Sequence, residues 1–164
     1  MKEPVFAFAV LGIFLYVGAE VCMARFLFPS LVEMGMSKAT ASKFGPALFF
    51  LLLTIGRIGG GIILTKVQPV PAFRVSAAMG AVGAGLLIIG NPTLAIPGVI
   101  IAGLGFANIW PLLFSITVEE KPERAAELSG LMCMAISGGA LVPLIQGGLV
   151  DAGLNAVSFL IPTV

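Results

Sequence analysis

Five long apolar runs, divided by short polar or proline-marked stretches, set the pattern of this chain. A helix needs about 20 apolar residues to cross the hydrocarbon core of a bilayer, and each run is near or above that length. The pattern predicts spans over about 4–29, 44–64, 73–89, 94–118 and 126–150, within a single helical bundle over 1–164. A sixth apolar stretch opens at 155–164 and is too short to span, so the last helix is expected to be truncated. The dividers are chemically plain: the polar stretch Glu33 to Lys43, the connector Lys66 to Pro71, the turn Gly90-Asn91-Pro92 and the charged stretch Glu119 to Arg124. The first run imitates a signal peptide, with Lys2 ahead of it. It is too long for one, contains Glu20 and is followed by no small-residue cleavage site, so it reads as a mature span.

Composition agrees with lipid as the solvent. Hydrophobic residues make up 59% and charged residues 10% of the chain, with a mean hydropathy of +1.11, too little charge to cover a soluble domain. The net charge of +1 and the lack of a basic cluster argue against nucleic acid as a partner. Histidine is absent, which removes the commonest neutral-pH general base and metal ligand, so neither an enzyme, a metal site nor a cofactor is expected. Cys22 and Cys133 fall in apolar runs and read as small buried hydrophobes. With the N-terminus in the cytoplasm, Lys2, Lys66, Arg74, Lys121 and Arg124 lie inside, against Lys38, Lys43 and Arg25 outside. That bias favours a cytoplasmic N-terminus. Small residues recur at four-residue spacing in Gly56 and Gly60, Gly80 and Ala84, Gly98 and Ala102, and Ala135 and Gly139. Such stripes let helix backbones approach closely and predict a packed bundle.

Polar side chains within the spans are costly and therefore informative. Glu20 lies slightly outward of the first span's midpoint, and Arg25 is about 140° around the helix from it, a poor partner. Glu20 is read either as a carboxylate lining a cavity, binding substrate or linked to a proton, or as a tie between helices. Arg57, in Gly56-Arg57-Ile58-Gly59, sits slightly inward of its own span's centre. Counted at 1.5 Å per residue, its axial offset from Glu20 is about 8–12 Å, long for a direct pair. Arg57 is thus expected to be a structural or gating cation. The glycines around it do not make a phosphate loop, since no Walker pattern is present.

The fourth span carries Asn108, Trp110 and Pro111. Pro111 predicts a kink. An amide beside an aromatic ring suits a sugar, the amide bonding hydroxyls and the ring packing on the C–H face; interhelical bonding by Asn108 and bulk packing by Trp110 are the plainer readings. The fifth span, with Gly138, Gly139 and Pro143, is predicted to bend or open locally. Gln146 bonds either a polar substrate or a neighbouring helix, and Asp151 reads as a solvated helix end.

Four blocks, Tyr16-Val17-Gly18-Ala19-Glu20, Gly56-Arg57-Ile58-Gly59, Asn108 to Ser115 and Gly138 to Gly147, together resemble the C-terminal half of the fucose/glucose–galactose proton symporter family of the major facilitator superfamily. The resemblance implies an all-α membrane protein, the C-terminal six-helix bundle of a twelve-helix transporter, with these spans as helices seven to eleven and the start of twelve. It implies a multi-pass protein of the cell inner membrane that carries a monosaccharide with a proton by alternating access. The opposing N-terminal six-helix bundle, missing from this sequence, is its implied partner and holds the family's main proton-coupling acids. Tyr16, Glu20, Asn108, Trp110 and Gln146 would line the cavity, with Arg57, Gly56, Gly138, Gly139 and Pro143 structural or gating. Thr65-Lys66-Val67 departs from the acidic-basic signature common in the superfamily, so that gating role is not carried over. The alternatives are a major facilitator for another solute, a non-transporting membrane subunit, or an inactive fragment.

Overall fold

Apolar helices, turned by capped or glycine-marked corners, build the whole of the described structure, a computed structural model covering residues 4–151. In chain order they are α1 (Pro4–Glu33), α2 (Lys38–Ser42), a π turn (Lys43–Ala47), α3 (Leu48–Ile63), α4 (Pro69–Ile88), α5 (Pro92–Phe106), α6 (Ile109–Glu120), a 3-10 turn (Pro122–Arg124), α7 (Ala125–Ala135) and α8 (Gly138–Asp151). Among the described residues, taken end to end, five stretches are long and apolar enough to cross a membrane: Phe6–Glu33, Lys38–Ile63, Pro69–Ile88, Pro92–Glu120 and Pro122–Leu149. The partial helix expected at 155–164 lies outside the described residues.

Several helix ends run beyond the apolar runs that announce them, because those ends are set by caps. α1 continues through Pro29 to Glu33 and stops at Gly35, whose φ of 91° is a conformation glycine adopts freely. There the Gly35 N–H meets the Val32 carbonyl and the Met36 N–H meets the Leu31 carbonyl, the paired bonds of a glycine-terminated helix. The supposed polar turn Glu33 to Lys43 is half helical, since the Ser37 hydroxyl accepts from the Thr40 N–H and starts α2. α4 begins at Pro69, inside the expected connector, where a missing N–H costs nothing. Asn91 caps α5 by accepting from the Thr93 N–H at 2.9 Å.

Packing relies on glycine where backbones cross. A Cβ on Gly83 would strike the Ala102 backbone, and one on Gly105 would strike Met79 and Gly80, so α4 and α5 touch main chain to main chain. A Cβ on Gly138 would land on the Phe14 carbonyl, and one on Gly18 would meet Val142, which seats α8 against α1. The main core gathers Tyr16, Met23, Leu27, Phe49, Leu87 and Phe106, among others, from α1, α3, α4 and α5. Ile55, Ile58, Ile62, Leu141, Leu144 and Ile145 are exposed. In water such a surface would be a liability; against lipid or another apolar bundle it is not.

Cys22 is buried as expected, but Cys133 is exposed on α7. An apolar run in a membrane helix does not reveal which of its faces is interior, since the lipid-facing side is apolar too. Asp151 ends α8 in an exposed position.

Candidate functional site

Two broken helices position the polar groups. α5 and α6 form one apolar stretch interrupted at Ala107 and Asn108, with Asn108 at φ −113°, ψ 2°. The cause lies four residues downstream of Ala107: Pro111 has no N–H to give the Ala107 carbonyl. That carbonyl instead accepts Arg57 Nε–H from α3 at 3.1 Å. The neighbouring Phe106 carbonyl accepts the Tyr16 hydroxyl from α1 at 2.8 Å. The second break falls at Ile136 and Ser137, between α7 and α8. Here the chain tightens, with bonds from Ser137 N–H to the Met134 carbonyl and from Gly139 N–H to the Ile136 carbonyl, each three residues back. The bend expected of the span with Gly138, Gly139 and Pro143 thus falls directly before Gly138, while Pro143 lies inside α8.

Arg57 and Glu20 meet directly, and the expected offset between them is corrected. Arg57 Nη2 lies 3.2 Å from Glu20 Oε1 and 3.1 Å from Oε2. Counting rise along two axes ignores the long arginine stem, which can carry its charged head well away from its own turn. Tyr16, one turn before Glu20 on α1, is hydrogen-bonded through its hydroxyl to Glu20 Oε2. A phenol, a carboxylate, a guanidinium and two backbone carbonyls thus form one network across α1, α3 and the α5–α6 break. The Arg57 and Glu20 side chains are 45% and 18% exposed, and ion pairs open to solvent contribute only about 0–1 kcal/mol to stability. The arrangement's chemical content is a fixed carboxylate in an apolar span, not added stability.

Tyr16, Glu20 and Arg57 wall a half-open pocket of about 520 Å³, with Val17, Trp110, Pro111 and Ile136 completing the lining. That size falls in the ~300–1,000 Å³ range of small-molecule sites. Trp110 stacks on Phe114 with ring centroids 5.1 Å apart and planes at 16°.

The remaining candidates lie elsewhere. The Asn108 amide turns from this pocket to α3, where Nδ2–H donates to the Gly56 carbonyl at 3.0 Å. A Cβ on Gly60 would land on that amide, and one on Gly56 would meet Ala107, so this glycine pair admits the broken segment. Asn108, Gly56 and Gly60 face a separate apolar groove shared with α4. Gln146 is fully buried on α8, one turn beyond Val142. Gly138 and Gly139 press against Phe14 and Val17 of α1, behind the pocket wall. The Phe106 and Ala107 carbonyls were missed by sequence reasoning; Pro111 was the signal for Ala107.

No family model matches the chain. Its sequence is 31% identical over 157 residues to a glucose/galactose transporter of Brucella abortus biovar 1 (strain 9-941), covering 94% of this chain and 38% of the relative. It is 29% identical over 153 residues to the glucose/mannose transporter GlcP of Bacillus subtilis (strain 168), covering 89% of this chain and 36% of that protein. The chain therefore spans 38% or less of the length of these relatives. In structure it matches the crystal structure of the major facilitator superfamily transporter FucP in the outward conformation, with a TM-score of 0.86 and 22% identity, over 96% of this chain and 39% of that one. In fold this multi-pass membrane chain matches a major facilitator superfamily transporter, and in sequence it is similar to the C-terminal portion of glucose/galactose transporter relatives.

Proposed function

We propose that this chain supplies the C-terminal bundle of a secondary active transporter that moves a monosaccharide of the fucose, glucose or galactose type together with a proton. The reading places it in the cell membrane with residue 1 on the cytoplasmic side. A six-helix N-terminal bundle closes the cavity from the opposite face, and the two rock about the site in alternating access. The observation that carries the reading is the Glu20 carboxylate, held by Arg57 and Tyr16 at a pocket that Trp110 also lines. Oriented carboxylate oxygens accept sugar hydroxyl hydrogens, and an indole offers an apolar face to sugar C–H groups. The names of the sequence relatives support the substrate class. In this reading Asn108 and the glycines Gly56, Gly138 and Gly139 shape the helices that carry the site, while Gln146 and Pro143 act from within α8.

The test is uptake of labelled hexoses into proteoliposomes by the transporter containing both bundles, compared with its Glu20→Gln variant. A hydrogen bond to a charged group contributes about 1.5–3 kcal/mol, so uptake is expected to fall roughly ten- to a hundredfold. Unchanged sugar binding and uptake in that variant would remove Glu20 from the cavity.

A further inference from the structure

The Tyr16 hydroxyl carries one proton but touches two acceptors. Its oxygen lies 2.8 Å from the Phe106 carbonyl oxygen and is also hydrogen-bonded to Glu20 Oε2. A phenol donates once; a backbone carbonyl and an ionised carboxylate only accept. When Glu20 is ionised, Tyr16 gives its proton to the carboxylate, and the Phe106 carbonyl then faces an oxygen with no hydrogen between them. When Glu20 carries a proton on Oε2, every hydrogen has a place: Glu20 O–H donates to Tyr16, and Tyr16 O–H donates to Phe106. Arg57 tolerates both arrangements, because its Nε–H is anchored on the Ala107 carbonyl at 3.1 Å and its Nη2 still reaches Glu20 Oε1 at 3.2 Å.

We propose that Glu20 is a proton-binding site of this chain, with the Tyr16 hydroxyl as a rotor between the carboxyl group and the Phe106 carbonyl. The step is simple in atoms and charge. A proton from the aqueous pocket forms an O–H bond at Oε2, the Tyr16 hydrogen swings to Phe106, and the network gains one positive charge. Release runs the same motions backwards. Among the described residues, the charged and titratable groups facing Glu20 are Tyr16 from its own helix and Arg57 from α3. The α5–α6 break offers backbone carbonyls, and Trp110 and Ile136 add walls that do not titrate. Arg25 is turned away, over the Phe26 ring at 6.0 Å. The site rests on the transport reading for its use, since there the proton travels with the sugar, and it puts a proton acceptor in this bundle itself.

The test needs no sugar. Infrared difference spectra are recorded on acidifying the full chain in lipid nanodiscs, for the native protein, Glu20→Gln and Tyr16→Phe. The expected result is a component of the protonated-carboxyl C=O band that is absent from Glu20→Gln. In Tyr16→Phe, which keeps the carboxyl group but offers it no hydroxyl acceptor, the same component moves to higher frequency. A native band that persists in Glu20→Gln, or one that Tyr16→Phe leaves unmoved, overturns the proposal. Tyr16→Phe keeps the test alone if Glu20→Gln does not fold. Failure of native hexose uptake would overturn the transport reading and leave these spectra untouched, so the two failures are separable.

Discussion

Pro111 and Arg57 are linked through an atom that belongs to neither: the Ala107 carbonyl oxygen, which the proline leaves without its helical donor and the arginine Nε–H takes at 3.1 Å. If the break exists to seat the guanidinium, restoring the missing N–H and removing the arginine act on one interaction. Pro111→Ala and Arg57→Gln are then expected to couple by about 0.5–3 kcal/mol in a double-mutant cycle on thermal unfolding. Additive effects would show that the proline and the arginine are independent.

Arg57 makes its two contacts with two different nitrogens of a rigid fork. A lysine has one nitrogen on a flexible stem and cannot reproduce that geometry. Hexose uptake by Arg57→Lys is therefore expected to lie nearer to that of Arg57→Ala than to the native rate. Native uptake in Arg57→Lys would reduce the residue's role to its charge.

The seat of the Asn108 amide makes Gly60 sensitive to a single methyl group. Gly60→Ala is expected to cost about 1–3 kcal/mol through overpacking, read as a lowered melting temperature in detergent. In an Asn108→Ala background the cost should largely vanish. Gly61, one residue on, has open space where its Cβ would be, and Gly61→Ala is expected to be neutral or to stabilise by up to about 1 kcal/mol.

Gly138 meets main chain rather than a side chain, with the Phe14 carbonyl in the place of its Cβ. A rotamer change cannot relieve that contact, so Gly138→Ala should fall at or beyond the upper end of the ~1–3 kcal/mol overpacking range. Gly130→Ala on α7, where nothing lies near, supplies the control. Equal melting temperatures for the two variants would refute the close approach of α1 and α8.

The legible parts of this protein were those determined by short stretches of chain. A long apolar run is its own signature, so the spans could be read directly, and Gly90-Asn91-Pro92 named its turn. Helix ends ran past the apolar runs because caps such as Ser37 and Gly35 belong to the polar residues beyond them. The meeting of Glu20 with Arg57 depends on how two helices lie against each other and how far an arginine reaches, and neither is written locally. Pro111 announced a kink, and the break falls where the missing N–H acts, four residues upstream at Ala107. Asn108 and Trp110 are two residues apart, which suggested a common task. About a broken turn they face different sides, Trp110 the Glu20 pocket and Asn108 the groove beside α4.

The Phe106 and Ala107 carbonyls carry a consequence for how this site changes over time. They are main-chain atoms, so replacing the Phe106 or Ala107 side chain does not remove the oxygen that receives Tyr16 or Arg57. What can abolish them as docking points is a change that heals the break. The part of the site most resistant to mutation is therefore invisible to residue-by-residue comparison. Two proteins of this architecture can differ at both positions and still share it, provided the chain fails to stay helical at the same place.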